Sequence, residues 1–201
     1  MTSERPPIIG LIGGIGSGKS RVATAFAKRG ARVISGDQAG HEALKQPEIR
    51  DAVEKRWGKG LIDEKGEVNR RALGRIVFAK QEELRALEAM VFPWIGQRLR
   101  DEIAAAARDV QVPLIVLDAA VMLEAGWNNV CDRIVYVHAP RDARLRRLAE
   151  TRGWTAKEVE ARECAQMSLT EKATRADFAV DNSGSPEELE RQIDAIWRML
   201  V

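Results

Sequence analysis

The chain has 201 residues, 45% of them apolar and 31% charged, enough for one compact α/β domain with room for an inserted subdomain. Its 32 Lys and Arg against 30 Asp and Glu leave a formal net charge of +2, which excludes the strong basic excess of a nucleic-acid-binding domain. No stretch approaches the ~18 apolar residues that span a bilayer, and the polar residues 1–7 do not read as a signal peptide, so a cytoplasmic protein without a membrane partner is expected.

Residues 8–12 form a short apolar run between Pro6-Pro7 and a set of glycines, the pattern of a buried parallel strand. After Gly18, Val22, Ala25 and Phe26 recur at helical spacing and Gly30 marks the stop. Residues 32–35 read as a second strand, completing the opening of a parallel sheet with a crossover. Between Asp37 and Asp109 only helix-like segments follow, at 38–45, 48–57, 70–78 and 82–107, the last expected to break or kink at Pro93. This passage reads as an inserted subdomain for a second substrate. Strands resume at 114–118, 133–138 and 178–180. Between the last two lie Arg-rich helices at 141–150 and 155–167. A terminal helix starts near Pro186 behind Ser185 as cap. The two cysteines, Cys131 and Cys164, are expected as reduced, buried thiols.

The segment Gly13-Gly14-Ile15-Gly16-Ser17-Gly18-Lys19-Ser20 satisfies the full P-loop spacing. Its glycines let the backbone wrap a phosphate, and the N–H groups from Gly14 to Ser20 with the following helix terminus hold anionic oxygens. Lys19 is expected at the β- and γ-phosphates of ATP and Ser20 on Mg²⁺. An ordinary glycine-rich turn is the alternative, and the strand before and helix after argue against it. No Asn-Lys-x-Asp stretch that would read guanine is present, and the chain is small for a motor. The Arg-rich passage from Arg141 to Arg162 suits a segment that closes over phosphates and excludes water.

A kinase needs somewhere for the acceptor's proton to go, and Asp37, just past the second strand, is the candidate base. It could equally cap the helix beginning at Gln38. His41 shares its helix face and is either an acceptor contact or a solvated side chain. Asp118, at the end of the third strand, is either a carboxylate acting on Mg²⁺ through water or a strand-end cap. Glu124 could position either substrate. Arg71 suits bidentate recognition of phosphate, or a surface ion pair. Each of the five tryptophans is expected in core or interface packing, and Arg144 and Arg146 on a solvated face.

Together these motifs resemble dephospho-CoA kinase, and the match runs over nearly the whole chain. The P-loop is that family's usual version. Residues 33–37 (Val-Ile-Ser-Gly-Asp) fall where the family has Asp-Ala-Asp with the second Asp as base. Residues 69–78 (Asn-Arg-Arg-Ala-Leu-Gly-Arg-Ile-Val-Phe) look like its acceptor-domain signature. Arg162, Gln166-Met167-Ser168, Glu171-Lys172, Ala176-Asp177-Phe178 and Asp181-Asn182-Ser183-Gly184 are similar to its lid-to-last-strand passage.

The resemblance implies an α/β P-loop fold of about five parallel strands, with a nucleotide core (about 1–36, 110–140, 176–201), a helical acceptor subdomain (about 37–109) and a lid (about 141–175). It implies ATP- and Mg²⁺-dependent phosphorylation of the ribose 3′-hydroxyl of dephospho-CoA by a monomer or weak homo-oligomer. Arg147 matches the lid arginine that meets the phosphates, Asn182 lies by the adenine, and His41, Arg71, Phe78 and Glu124 become acceptor contacts. The sequence departs from the pattern in four places. Ser35 replaces the first Asp, Phe92 replaces a His before Pro93, and residues 120–124 (Ala-Val-Met-Leu-Glu) replace a Pro-Leu-Leu-aromatic-Glu run. The second lid arginine is displaced, with Thr151-Arg152 in its neighbourhood. Two rivals remain: another small-molecule or nucleoside monophosphate kinase, and a nucleotide-binding regulator that has lost catalysis.

Overall fold

The computed structural model describes residues 5–201; of the polar stretch 1–7, residues 1–4 lie outside the described residues. β1 (Ile8–Gly13) leads through the glycine-rich loop into α1 (Lys19–Ala27), and β2 (Arg32–Ser35) follows. The helical passage comprises α2 (Gly36–Ala43), α3 (Pro47–Trp57), α4 (Arg70–Val77) and α5 (Gln81–Ala107). Then come β3 (Ile115–Asp118), β4 (Arg133–His138), α6 (Arg141–Arg152), α7 (Ala156–Glu163), α8 (Leu169–Thr174), β5 (Phe178–Asp181) and α9 (Pro186–Leu200).

The strands form one five-stranded sheet in the order β2-β3-β1-β4-β5, parallel throughout. The order reverses direction at β1, so the loop leaving β1 opens at the crevice where such sheets bind ligands. β1 is buried along its whole length, as a central strand covered on both faces must be. Ile9, Leu11, Val135, Val137 and Val180 pack with Val22 and Phe26 of α1 and with Leu189, Ile193 and Ile196 of α9. Arg29, at the end of α1, reinforces this layer by donating to Asp194 at 2.6 Å and Glu190 at 2.7 Å.

The chain divides into two compact units, one running up to Gly36 and resuming with Asp101–Val201, the other being Asp37–Arg100. The second has its own small core of Val53, Leu61, Val68, Leu73 and Val77, flanked by Trp57, Ile76 and Phe78. Trp57 packs there as expected, and its indole N–H donates to Glu83 at 2.7 Å.

Several local expectations change. α5 continues through Pro93 without a break. Proline removes one hydrogen bond at a cost of about 3 kcal/mol, and burial of Val91, Ile95, Leu99 and Ile103 along the same helix outweighs that at roughly 1.5–3 kcal/mol for each side chain. The helix expected over 155–167 stops at Glu163, and a separate short helix, α8, starts behind the capping box of Ser168 and Glu171. α2 begins at Gly36, which places Asp37 within its first turn and not at the cap of a helix starting at Gln38.

Cys164 is exposed and not buried, since it ends α7 at the surface. Cys131 is largely buried, and desolvation, aided by the neighbouring Asp132 charge, pushes its thiol up to about 12. At pH 8 only about one Cys131 thiol in 10⁴ is then ionised. Iodoacetamide should therefore label Cys164 alone in the folded protein and Cys131 only after denaturation. Equal labelling of both thiols in the native state, read by peptide mass spectrometry, would contradict this burial. Among the described residues no helix is long and apolar enough to cross a membrane.

Candidate active site

The glycine-rich loop takes the conformation its sequence demands. Gly16 has φ of 76° and Gly18 of 87°, values that side-chain-bearing residues rarely adopt. The Ser17 N–H closes a turn onto the Gly14 carbonyl at 3.1 Å, and the Arg21 and Val22 N–H groups begin α1 on the Gly18 carbonyl. The amides at the start of α1 carry the positive end of its dipole, an anion site by construction. The Ser17 side chain is 1% exposed, so Ser17 offers the cradle its backbone.

Lys19 and Ser20 open α1. The Ser20 hydroxyl donates to Asp118 Oδ2 at 3.0 Å. Asp118 ends β3 and pairs in register with Leu11 on one side and Ser35 on the other. The sheet thus brings together two oxygen groups that the sequence keeps far apart. A hydroxyl beside a carboxylate, next to a phosphate cradle, is a donor set suited to a hard divalent cation that keeps waters and phosphate oxygens as its other ligands.

Two arginines one turn apart on α6 grip the loop from its carbonyl side. Arg147 Nη1 donates to the Ser17 carbonyl at 3.2 Å and, at a long 3.4 Å, to that of Gly16, while Nη2 donates to the Asn182 carbonyl at 2.8 Å. Arg144, expected on a solvated face, is 3% exposed. It donates to the Ile15 carbonyl at 3.1 Å and to Glu163. A Cβ on Gly16 would lie 2.9 Å from the Arg144 carbonyl and from Leu148, so α6 packs where only glycine fits.

Asn182 is 2% exposed; its amide donates to the Ser17 carbonyl at 2.7 Å and accepts from Arg21 at 3.2 Å. It is a brace under the loop as well as part of the turn after β5. Beside it, hydrogen bonds from Ser183 hold the Asp181 carboxyl below its ordinary range.

Glu124 is engaged inside the first unit through one carboxylate oxygen, while its Oε2 is buried without a hydrogen-bond partner among the described residues. Its Oε1 pairs with Lys172 Nζ at 3.0 Å and accepts the Met167 N–H at 2.8 Å. Lys172, 1% exposed, also donates to Gln166 at 3.0 Å. This joint ties the loop after β3 to α8, and removing either charge would strand the other at a cost of about 3–5 kcal/mol. Arg152, considered for a lid role, lies 4.9 Å over the Trp154 ring, and Arg162 lies 4.0 Å from it. Burial, with Arg152 nearby, lowers the Arg162 pKa from its ordinary value.

In the second unit Asp37 and His41 are exposed and one turn apart on α2. Arg71 is exposed in the first turn of α4, capped by Asn69, and Phe78 is half-buried at its end against the small core.

Arg144 and Lys172 are the residues that sequence reasoning missed. For Arg144 a signal existed, since it lies three residues before Arg147 and four before Leu148, on one helix face. Lys172 stood only within the Glu171-Lys172 signature, and its burial carried no local signal because its partner Glu124 comes from a different element.

The family model of dephospho-CoA kinase matches residues 7–188. A dephospho-CoA kinase of Geobacter sulfurreducens is 39% identical over 191 residues, covering 94% of this chain and 96% of that one. A solved structure from Thermus thermophilus superposes with a TM-score of 0.80 at 35% identity, over 98% of this chain and 99% of that one. The fold alone is shared with a dephospho-CoA kinase from Campylobacter jejuni, at 21% identity and a TM-score of 0.69 over 95% of each chain.

Proposed function

The chain belongs to the dephospho-CoA kinase family, and from that premise we propose that it transfers the γ-phosphate of ATP to the ribose 3′-hydroxyl of dephospho-CoA with Asp37 as base. The observation that carries the reading is the Ser20–Asp118 contact at 3.0 Å beside Lys19. It supplies a cation-binding oxygen pair directly at the end of a phosphate cradle. Ser20 directly, and Asp118 through water, would hold Mg²⁺. Bound there, the ion would supply charge that neutralises the phosphate oxygens.

The backbone of residues 14–20 binds the triphosphate and Lys19 reaches its β- and γ-oxygens. The acceptor oxygen attacks the γ-phosphorus while its proton passes to the Asp37 carboxylate. The bond to the β-phosphate oxygen breaks, and ADP departs with that electron pair. Arg147 and Asn182 fix the loop that orients the phosphates, and Asn182 lies by the adenine. Residues 141–175 act as the lid that excludes water. The helical passage expected at 37–109 binds the acceptor, with His41, Arg71 and Phe78 as contacts. Glu124 contributes by holding α8. Soluble phosphorylated substrates suit a cytoplasmic enzyme working as a monomer or weak homo-oligomer, without nucleic acid.

An acceptor screen by coupled ADP release tests the reading. Turnover is expected with dephospho-CoA and not with nucleoside monophosphates, shikimate or gluconate. Turnover on a nucleoside monophosphate in preference to dephospho-CoA would overturn it, and ATP binding without any acceptor turnover would favour a regulator.

A further inference from the structure

A buried ion pair lies behind the phosphate cradle. Arg144 Nη1 donates both to the Ile15 carbonyl, at 3.1 Å, and to the Glu163 carboxylate of α7. A Cβ on Gly14 would come within 2.9 Å of that same nitrogen, so loop and guanidinium are in direct packing contact. Arg144 Nε is buried without a hydrogen-bond partner among the described residues. Burying a guanidinium this way costs stability that an apolar side chain of similar volume would not.

A cavity of about 270 Å³ adjoins the pair, lined among others by Gly14, Arg141, Arg144, Glu163 and Gln166. Anion binding there is disfavoured. Glu163 already neutralises Arg144 and also lies 3.9 Å from Arg141, so an incoming phosphate would meet its carboxylate. What Arg144 supplies is direction.

A trans peptide unit is planar, and its C=O and N–H point opposite ways. Holding the Ile15 carbonyl outward turns the Gly16 N–H toward the space the loop encloses. Arg147 and Asn182, through the Ser17 carbonyl, do the same for the Gly18 N–H. Such restraint is needed because glycine at φ of 76° populates both signs of φ readily, and its flanking peptides turn over easily. A charge-assisted bond at the carbonyl also polarises the unit and strengthens its N–H as a donor.

We propose that Arg144 is a positioning residue for nucleotide binding: charge-balanced by Glu163, it locks the Ile15–Gly16 peptide with its N–H facing the phosphates. Arg144 itself touches no nucleotide atom. The inference rests on nucleotide binding at the P-loop and is independent of the acceptor.

Arg144→Met alone would strand Glu163, so the decisive protein is the double variant Arg144→Met/Glu163→Gln, with Arg144→Lys as the conservative comparison. ADP affinity is measured by titration calorimetry without acceptor, alongside the Gly16 amide resonance, the thermal midpoint and the two KM values. In the double variant the ADP Kd and the ATP KM rise about tenfold, the dephospho-CoA KM stays within about twofold, and the midpoint moves by a few degrees. The shift of the Gly16 amide on ADP binding shrinks, and Arg144→Lys recovers part of the affinity. An ADP Kd within about twofold of the unaltered protein overturns the proposal, as does a double variant that fails to fold or that loses both substrates equally. Failure of the unaltered protein to turn over dephospho-CoA would sink the kinase reading and leave the ADP measurement standing.

Discussion

In Lys19→Ala, ATP affinity and turnover are expected to fall together, with kcat/KM for ATP reduced about 10³-fold or more. Lys19 stands at the first position of α1, directly after the left-handed Gly18, where its ammonium can follow charge from the ground state into the transition state. A hydrogen bond to a charged group is worth about 1.5–3 kcal/mol in binding, and loss of a preorganised donor to developing charge costs about 2.7–4 kcal/mol more. At 1.36 kcal/mol per tenfold, the sum is roughly three to five powers of ten. Since the side chain is only half-buried, the thermal midpoint should hold. A variant that binds ATP normally but turns over slowly would confine Lys19 to the transition state; one retaining both parameters would remove it from the site.

Asp37→Asn should behave differently, lowering kcat by about 10²–10⁴ while the ATP KM changes less than about threefold. Asparagine keeps the shape and hydrogen-bonding reach of the side chain but cannot take a proton. The competing role is that of an acidic first-turn residue of α2, worth about 0.3–1 kcal/mol of helix stability. Magnitude separates the two. A first-turn charge cannot account for a hundredfold loss of rate, and a near-full rate with a slightly lowered midpoint would return Asp37 to that structural role.

Much of the fold was legible because its signals are local. β1, the P-loop and α1 follow from one apolar run, one glycine spacing and one helical period, and β2 and β4 span the residues expected of them, 32–35 and 133–138. Boundaries slipped where a competing local rule acted unnoticed. The helix expected to run to 167 stops at Glu163, with the Ser168–Glu171 capping box starting a separate α8, and the helix expected from Gln38 begins two residues early at Gly36. At Pro93 the helix does not break, because a local penalty of about 3 kcal/mol is overcome by burial along the rest of α5.

By itself the sequence determined the chemistry that sits within one stretch: a loop able to wrap phosphate, a lysine and hydroxyl at its end, and an acid just past the next strand. Its family signatures named the acceptor as well. Only the tertiary structure decided which charges are spent on other charges. Arg144 looked like surface and lies buried against Ile15 and Glu163; Glu124 pairs with Lys172 through one oxygen; Asn182 braces Ser17 through its side chain. The reason is physical. A charged side chain's role is set by the neighbours that desolvate and neutralise it, and those neighbours arrive through the order β2-β3-β1-β4-β5, from segments far apart in the chain.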